Sequence, residues 1–272
     1  MAPESASNLP ADPFALHPAQ AFEAAERREL RVYGQSVELL YLPGRAKRQG
    51  IPGPQKAPFR PCPMRRILAE EALWQGQGVT ITANPFPFAE RQLLLWSQDP
   101  VREVGREMLE MALLMEERCR GAVMLNSTGA AASISRAHLH LIGDCGGFLP
   151  KLPSEAVDPA YLQEDPELEC RPCSAPFPSF IHVLLGPARS RARAAHRLLQ
   201  LRSTAAINLI STVGKTFVVP RSSVEIPIPY FPHALGSSEL FGRWCYADQD
   251  AFAEATGEDL EKALAICCVP RA

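Results

Sequence analysis

The sequence predicts an α+β fold in which helices pack on an antiparallel sheet. Short apolar or β-branched runs, which are typical of strands, occur at residues 37–41, 79–83, 92–96, 122–125 and 133–142. Between the third and fourth of these runs, apolar residues recur at helical spacing from Val101 to Cys119. The resulting order of two strands, a helix and two strands predicts a helix packed against the sheet that the strands form.

The first helix has recognisable ends, and a second group of elements follows it. Asp99 is the expected N-cap, Pro100 the first-turn residue, and Gly121 the residue that ends the helix. Further along, the patterns predict a strand at 180–185, a helix at 187–202, strands at 206–210 and 215–219, and a last helix over about 250–268. A chain of 272 residues is long enough to bury a sizeable core, as one large domain or as two fused halves.

Proline content divides the chain into segments. Residues 1–20 are rich in Pro, Ala and Ser and are expected to be disordered. Residues 149–179 hold many prolines and are expected to form a long irregular insertion. The predicted organisation is therefore a disordered N-terminus (1–20), a first half (21–148), the insertion (149–179) and a second half (180–272).

Composition narrows the classes of function. The chain is 46% hydrophobic and its net charge is −2, so it lacks the global basic character of a nucleic-acid-binding protein. No run of 18 apolar residues is present, so we expect no contact with a membrane. The N-terminus lacks a basic start and an apolar block, which favours the cytoplasm, where the eight cysteines are reduced thiols.

Two clusters invite other interpretations. Cys170 and Cys173 have the spacing of a zinc-binding pair, but a site needs about four ligands, and further ones would have to come from residues such as Cys145 or His182. We therefore expect ordinary thiols and no metal site. The predicted helix at 187–202 carries five arginines, which indicate a solvated helix face rather than a phosphate-binding or RNA-binding surface.

The chemistry is concentrated at His138 and His140. Side chains alternate faces along a strand, so these two histidines point the same way, and Arg136 is predicted to join them on that face. Leu139 and Leu141 then face a core. A row of nitrogen-bearing side chains suits the handling of a phosphate group, by nucleophilic attack and by charge neutralisation.

At these residues the chain resembles the superfamily of histidine triad proteins and galactose-1-phosphate uridylyltransferases. The resemblance is strongest to its GDP-hexose phosphorylase branch, whose Asn-Ser-x-Gly-Ala and Ser/Thr-Ile motifs match residues 126–130 and 133–134 without gaps, so that its His-x-His-x-Gln motif falls on residues 136–140. Shorter matches in the same order lie at 44–48, 84–88, 208–220 and 236–239. The resemblance implies a histidine triad/uridylyltransferase-like antiparallel sheet with helices packed on it, built from two fused half-domains.

The triad can be aligned in two registers. In the preferred one its positions fall on Arg136, His138 and His140, which makes His138 the nucleophile and replaces the family's first histidine by arginine. In the other, His138 is first, His140 is the nucleophile and Ile142 is third. Arginine supplies fixed positive charge, but it is not a proton donor at neutral pH.

The resemblance implies transfer of a nucleotidyl group through a covalent nucleotidyl-histidine. The substrate would be a nucleoside diphosphate sugar, with GDP-hexose nearest, and inorganic phosphate or a sugar phosphate would be the acceptor. Arg136 and His140 would assist at the phosphates, and no cofactor is required. The residues predicted to contact substrate are Asn126, Ser127, Gly129, Arg45, Lys47, Asn84 and Lys215.

Three other functions remain open at this point. A dinucleoside polyphosphate phosphorylase or hydrolase would use the same fold and intermediate, with a dinucleotide as substrate. A catalytically inactive nucleotide-binding protein would account for arginine at the first triad position. RNA binding through the arginine-rich helix ranks last, and homodimerisation is left open because no pairing surface is evident in the sequence.

Overall fold

The structure is a computed structural model that describes residues 9–17, 22–48, 68–132, 134, 136–144, 147–154, 165–173, 177, 179–201, 204, 206–223 and 226–270. The strands are β1 (Glu26–Val32), β2 (Gln35–Tyr41), β3 (Ala72–Gly76), β4 (Val79–Ala83), β5 (Gln92–Ser97), β6 (Ala122–Asn126), β7 (His138–Ile142), β8 (Glu169–Pro172), β9 (His182–Leu185), β10 (Ala206–Thr212), β11 (Lys215–Arg221) and β12 (Arg243–Tyr246). The helices are α1 (Arg106–Cys119), α2 (Ala188–Leu201), α3 (Ser237–Phe241), α4 (Gln249–Glu254) and α5 (Gly257–Cys267).

Nine of these strands form one antiparallel sheet, in the order β3-β4-β5-β7-β6-β10-β11-β9-β8. The segments β4-β5-α1-β6-β7 and β8-β9-α2-β10-β11 have the same element order. They also have the same strand order within the sheet, and they meet at the β6–β10 pair. The sequence prediction of an α+β fold with two fused half-domains is thereby confirmed.

The two faces of the large sheet have different neighbours. Helices α1 and α2 pack on one face, where alternate residues such as Leu95, Leu139 and Leu209 form the core. On the other face of the second half, Phe217 belongs to a core that also contains Trp244 and other residues of the β1-β2-β12 sheet and the C-terminal helices. In the first half that same face carries the two histidines.

Several boundaries differ from the prediction. Helix α1 begins at Arg106 instead of near Asp99, because the intervening backbone makes other bonds: the Val101 carbonyl accepts a hydrogen bond from the Ala137 N–H. Strand β7, predicted at 133–142, begins at His138, and the strand predicted at 180–185 begins at His182.

The termini and the insertion also differ from expectation. Within the predicted disordered N-terminus, Leu9 and Phe14 are buried against the α1 core. The proline-rich insertion contributes β8 to the edge of the sheet. The single helix predicted at 250–268 is divided into α4 and α5, because the backbone leaves the helical conformation at Ala255 and Thr256, and the Thr256 side chain caps α5 by accepting from the Asp259 N–H.

Three arginines of α2 pair with carboxylates. The fully buried Arg191 bonds Glu116 and Glu117 of α1, as well as Ser211 and Thr216 of the β10–β11 hairpin. On the exposed side, Arg189 pairs with Glu110 at 2.9 Å and Arg193 with Asp165 at 3.2 Å. These pairs do not support an RNA-binding face. In the described part of the chain, no helix has the length and apolar character needed to cross a membrane.

Candidate active site

The two histidines lie on β7, between β5 and β6, on the face of the sheet opposite α1. Their ring centroids are 5.5 Å apart at an interplanar angle of 67°. The indole of Trp96, directly across on β5, lies 4.7 Å from the His138 ring and tilted by 33°. The His138 side chain is 6% exposed and His140 is half-buried, so the pair sits in a sheltered position at the surface of the sheet.

The hydrogen bond of His138 defines where its proton lies. Its Nδ1 is 2.8 Å from the carbonyl oxygen of Arg136. Because a carbonyl oxygen only accepts hydrogen bonds, Nδ1 must donate. The neutral ring therefore carries its proton on Nδ1 and its lone pair on Nε2, which is the form in which Nε2 can act as a nucleophile.

His140 has a different partner. Its Nδ1 lies 3.0 Å from Nε2 of Gln92, a buried residue at the start of β5. The Oε1 atom of the same amide accepts a hydrogen bond of 2.8 Å from the Phe88 N–H. The Phe88 ring also packs near the imidazole of His140, at a centroid distance of 6.1 Å.

Arg136 precedes β7, so strand alternation does not place it in line with the histidines. Its guanidinium donates to the carbonyl oxygens of Ser97, at 2.9 Å from Nε, and of Gln98. These bonds tie the segment before β7 to the end of β5. The Arg136 carbonyl, rather than its charge, is the group that contacts a histidine ring.

Of the other predicted substrate contacts, one lies near the histidine pair and another lies in the loop before β5. The Arg45 guanidinium lies over the Phe88 ring, 5.9 Å from its centroid, and the same ring packs near His140. The buried Nη1 atom of Arg45 has no hydrogen-bond partner. Asn84 is buried, and its Oδ1 accepts from the Phe86 N–H at 3.1 Å within the loop before β5. Lys47 belongs to a short 3-10 helix at Pro43–Arg48, and its side chain lies outside the described part of the structure.

The Asn126 motif joins the two halves. Asn126 ends β6, and its Oδ1 accepts hydrogen bonds of 2.8 Å from Asn208 Nδ2 and from the Ser237 N–H at the start of α3. Ser127 exchanges backbone and hydroxyl bonds with Ile207 of β10. Gly129 adopts a φ of 88° in the turn that follows, a conformation that favours glycine.

Lys215 is separated from this group. It starts β11, which is three strands away from β7 in the sheet, and it pairs with Thr212 at the β10–β11 hairpin. The structure thus brings His138, His140, Asn126, Asn84 and Arg45 around the first half of the sheet. It does not bring Lys215 there.

This fold has been seen in other proteins. The chain superposes on yeast Ap4A phosphorylase Apa2 in complex with Ap4A with a TM-score of 0.69 and 19% identity, covering 93% of this chain and 92% of that one. The complex of the same yeast enzyme with AMP gives a TM-score of 0.64, also at 19% identity, over 92% and 90% of the two chains. No family model and no curated protein matches the chain.

The chain has the histidine triad/uridylyltransferase-like fold. The resemblance inferred from the sequence is confirmed at that level.

Two other features of the chain lie outside the histidine face. A cleft of about 460 Å³ opens beside β1, β2 and β12, lined by residues that include Arg27, Lys151 and Arg243, and no predicted site residue lines it. Among the described residues, no group of three or more His, Cys, Asp or Glu side chains is arranged to hold a metal. Cys170 and Cys173 are buried thiols, and Cys145 lies outside the described residues.

Sequence reasoning missed Gln92 and Asn208 as members of the site. Gln92 stood only as the first residue of a predicted strand, although it is a polar residue at even spacing from Leu94 and Trp96 on one face. Asn208 is buried in the middle of an apolar strand, which is itself a signal of a structural hydrogen bond.

Proposed function

We propose that the protein transfers a nucleotidyl group from a nucleoside phosphoanhydride to phosphate or a sugar phosphate, through a covalent intermediate on His138. One observation carries this proposal: donation from Nδ1 of His138 to the Arg136 carbonyl sets the lone pair of the neutral ring on Nε2. A neutral imidazole nitrogen, buried beside Trp96 and sheltered from water, is a suitable nucleophile toward phosphorus.

The reaction proceeds in two displacements at the same phosphorus. In the first, Nε2 of His138 attacks the α-phosphorus, an N–P bond forms, and the P–O bond to the leaving phosphate breaks with its electron pair going to that oxygen. In the second, an oxygen of the acceptor phosphate attacks the α-phosphorus, and the N–P bond breaks to restore the imidazole. No redox cofactor enters either step.

The neighbouring residues divide the remaining tasks. His140 hydrogen-bonds a phosphate oxygen, and Arg45 supplies positive charge from the other side of Phe88. Arg136 holds the backbone carbonyl that orients His138, so arginine at this position is compatible with turnover. Asn126, with both partners on its Oδ1, keeps its Nδ2 as a donor at the end of β6.

This assignment favours the first of the two triad registers. The His140 Nδ1 accepts from Gln92, so a neutral His140 carries its proton on Nε2 and lacks a nucleophilic lone pair there. Ile142, the third residue of the alternative register, is fully buried in an apolar core. Both observations support His138 as the nucleophile.

The substrate class has two candidates. The sequence motifs favour a nucleoside diphosphate sugar of the GDP-hexose kind, whose phosphorolysis would give a nucleoside diphosphate and a sugar phosphate. The yeast structure that shares this fold over its length holds Ap4A, which favours a dinucleoside polyphosphate as the second candidate. Both substrates present the same α-phosphorus to His138.

A paired activity assay tests the proposal. The purified protein is incubated with GDP-hexoses or with Ap4A, each with and without inorganic phosphate, and the nucleotide products are separated by chromatography. We expect a nucleoside diphosphate to appear only when phosphate is present. Nucleotide binding without any phosphate-dependent product would instead indicate a nucleotide-binding protein that does not catalyse transfer.

A further inference from the structure

We propose that Gln92 is a positioning residue that fixes His140 in the tautomer with its proton on Nε2, from which the ring donates to a phosphate oxygen. The inference rests on the nucleotidyl transfer proposed above. It adds a residue that touches no reacting atom and acts through the ring of His140.

The orientation of the Gln92 amide is determined by its other partner. The backbone N–H of Phe88 can only donate, so the atom that it contacts at 2.8 Å must be the amide oxygen. The remaining atom, Nε2, is then an NH₂ group that can only donate. Since Gln92 is 4% exposed, reversing the amide would turn the NH₂ group toward the Phe88 N–H and leave a buried donor unsatisfied.

The tautomer of His140 follows from that orientation. Gln92 Nε2 donates across 3.0 Å to Nδ1, so Nδ1 accepts, and the neutral imidazole has its only proton on Nε2. His138 has the opposite arrangement, because its Nδ1 donates to a carbonyl. Two rings 5.5 Å apart on one strand are therefore set as one nucleophile and one donor.

A single substitution reverses the contact. In Gln92→Glu, Oε1 still accepts from the Phe88 N–H, but the group facing His140 becomes a carboxylate oxygen, which accepts. A neutral His140 must then place its proton on Nδ1 and its lone pair on Nε2. The imidazolium form, protonated on both nitrogens, keeps a donor at Nε2 in either protein.

The variant should therefore lose its donor only when the ring is neutral. We expect the ratio of kcat for Gln92→Glu to kcat for wild type to fall by roughly 100-fold between about pH 6 and about pH 9, which is the usual effect of removing one preorganised donor. Titration of His138, and the charge of Arg45 beyond Phe88, affect both proteins and largely cancel in the ratio.

The control is Gln249→Glu, the same chemical change at an exposed amide on α4 that contacts Glu26. Its ratio to wild type should stay constant with pH. A constant ratio for Gln92→Glu as well, over a pH range in which NMR shows the His140 ring to be neutral in both proteins, would show that Gln92 only supports the local structure, and this would overturn the inference.

Side-chain ¹⁵N NMR at about pH 9 gives a second readout that needs no activity. We expect the neutral His140 ring to be protonated on Nε2 in wild type and on Nδ1 in Gln92→Glu. A wild-type His140 protonated on Nδ1 would contradict the inference even if nucleotidyl transfer is confirmed. Failure of the proposed function would be recognised separately, as a wild-type protein that forms no nucleotidyl-histidine.

Discussion

The two halves of the large sheet have the same architecture, but their faces turned away from the helices have different surroundings. In each half one strand lies between two others with a helix behind it: β7 in the first half and β11 in the second. On the face away from the helices, β7 presents His138 and His140, whereas β11 presents Phe217 and Val219 to a core covered by the β1-β2-β12 sheet. A scaffold of this kind sets which residues share a face, and the covering layer determines whether that face becomes a core or a site.

The largest expected effect is on activity, and it compares a substitution on the histidine face of the sheet with one on the helix side. We expect His138→Asn to lower nucleotidyl transfer by at least about 10³-fold, because the attacking nitrogen is lost, while thermal unfolding changes little. The matched control is His196→Asn on α2, at the opposite face of the sheet, which should retain activity. Comparable losses in the two variants would show that the histidine face has no special role.

A second pair of variants compares the faces by stability. Phe217→Ala should lower the free energy of unfolding by about 3–5 kcal/mol, because it opens a cavity in the covered core. His140→Ala should cost less, about 1–3 kcal/mol, from the unsatisfied Gln92 donor. Urea denaturation measures both. If His140→Ala were the more damaging change, the histidine face would be a core like its counterpart.

The ion pair between α1 and α2 tests how the halves are held together. Glu116→Ala should destabilise the protein by about 3 kcal/mol, because the fully buried Arg191 loses one of its two carboxylates and keeps Glu117 together with the neutral partners Ser211, Thr216 and the Gly186 carbonyl. Arg189→Ala removes an exposed pair between the same helices and should have little effect. Equal denaturation midpoints for the two variants would contradict this view of the helix contact.

The stability of the fold should be sensitive to acid, because of two buried histidines in the second half of the sheet and in the layer that covers it. Burial lowers the pKa of His182 to about 4, and the pKa of His233 to about 4 as well, with a smaller contribution from Arg45 that Asp248 opposes. The unfolded chain binds these protons near pH 6.5 and the folded one only near pH 4, so stability is complete above pH 6.5 and is lost as the pH falls toward 4.

Each histidine should cost on the order of 2 kcal/mol of stability by about pH 5. Denaturation midpoints measured from about pH 7 to pH 5 should fall, and they should fall less steeply in His182→Phe. The same slope in the variant and in wild type would remove His182 from the explanation.

Local patterns predicted more of this molecule than its long-range contacts did. The strands at 79–83 and 92–96 and the alternation of His138 with Leu139 were predictable because strand periodicity is a property of neighbouring residues. The start of α1 was mispredicted, because Ala137 binds the Val101 backbone from 36 positions further along the chain. No local pattern reports such a bond.

The site shows the same limit. Two histidines one residue apart on one strand could be recognised from the sequence. The partners that distinguish them, the Arg136 carbonyl and the Gln92 amide, could not, because a backbone carbonyl has no sequence signal and Gln92 lies on another strand. The motif therefore predicted that histidines face the substrate, and the contacts support His138 as the proposed nucleophile.

Trapping the intermediate tests the central claim most directly. The protein is mixed with a substrate labelled at the α-phosphate, without phosphate acceptor, then denatured at alkaline pH and mapped by mass spectrometry. The account predicts one nucleotidyl group on His138 and none in His138→Asn. A protein that turns substrate over without an adduct, or one that carries the adduct on His140, would contradict it.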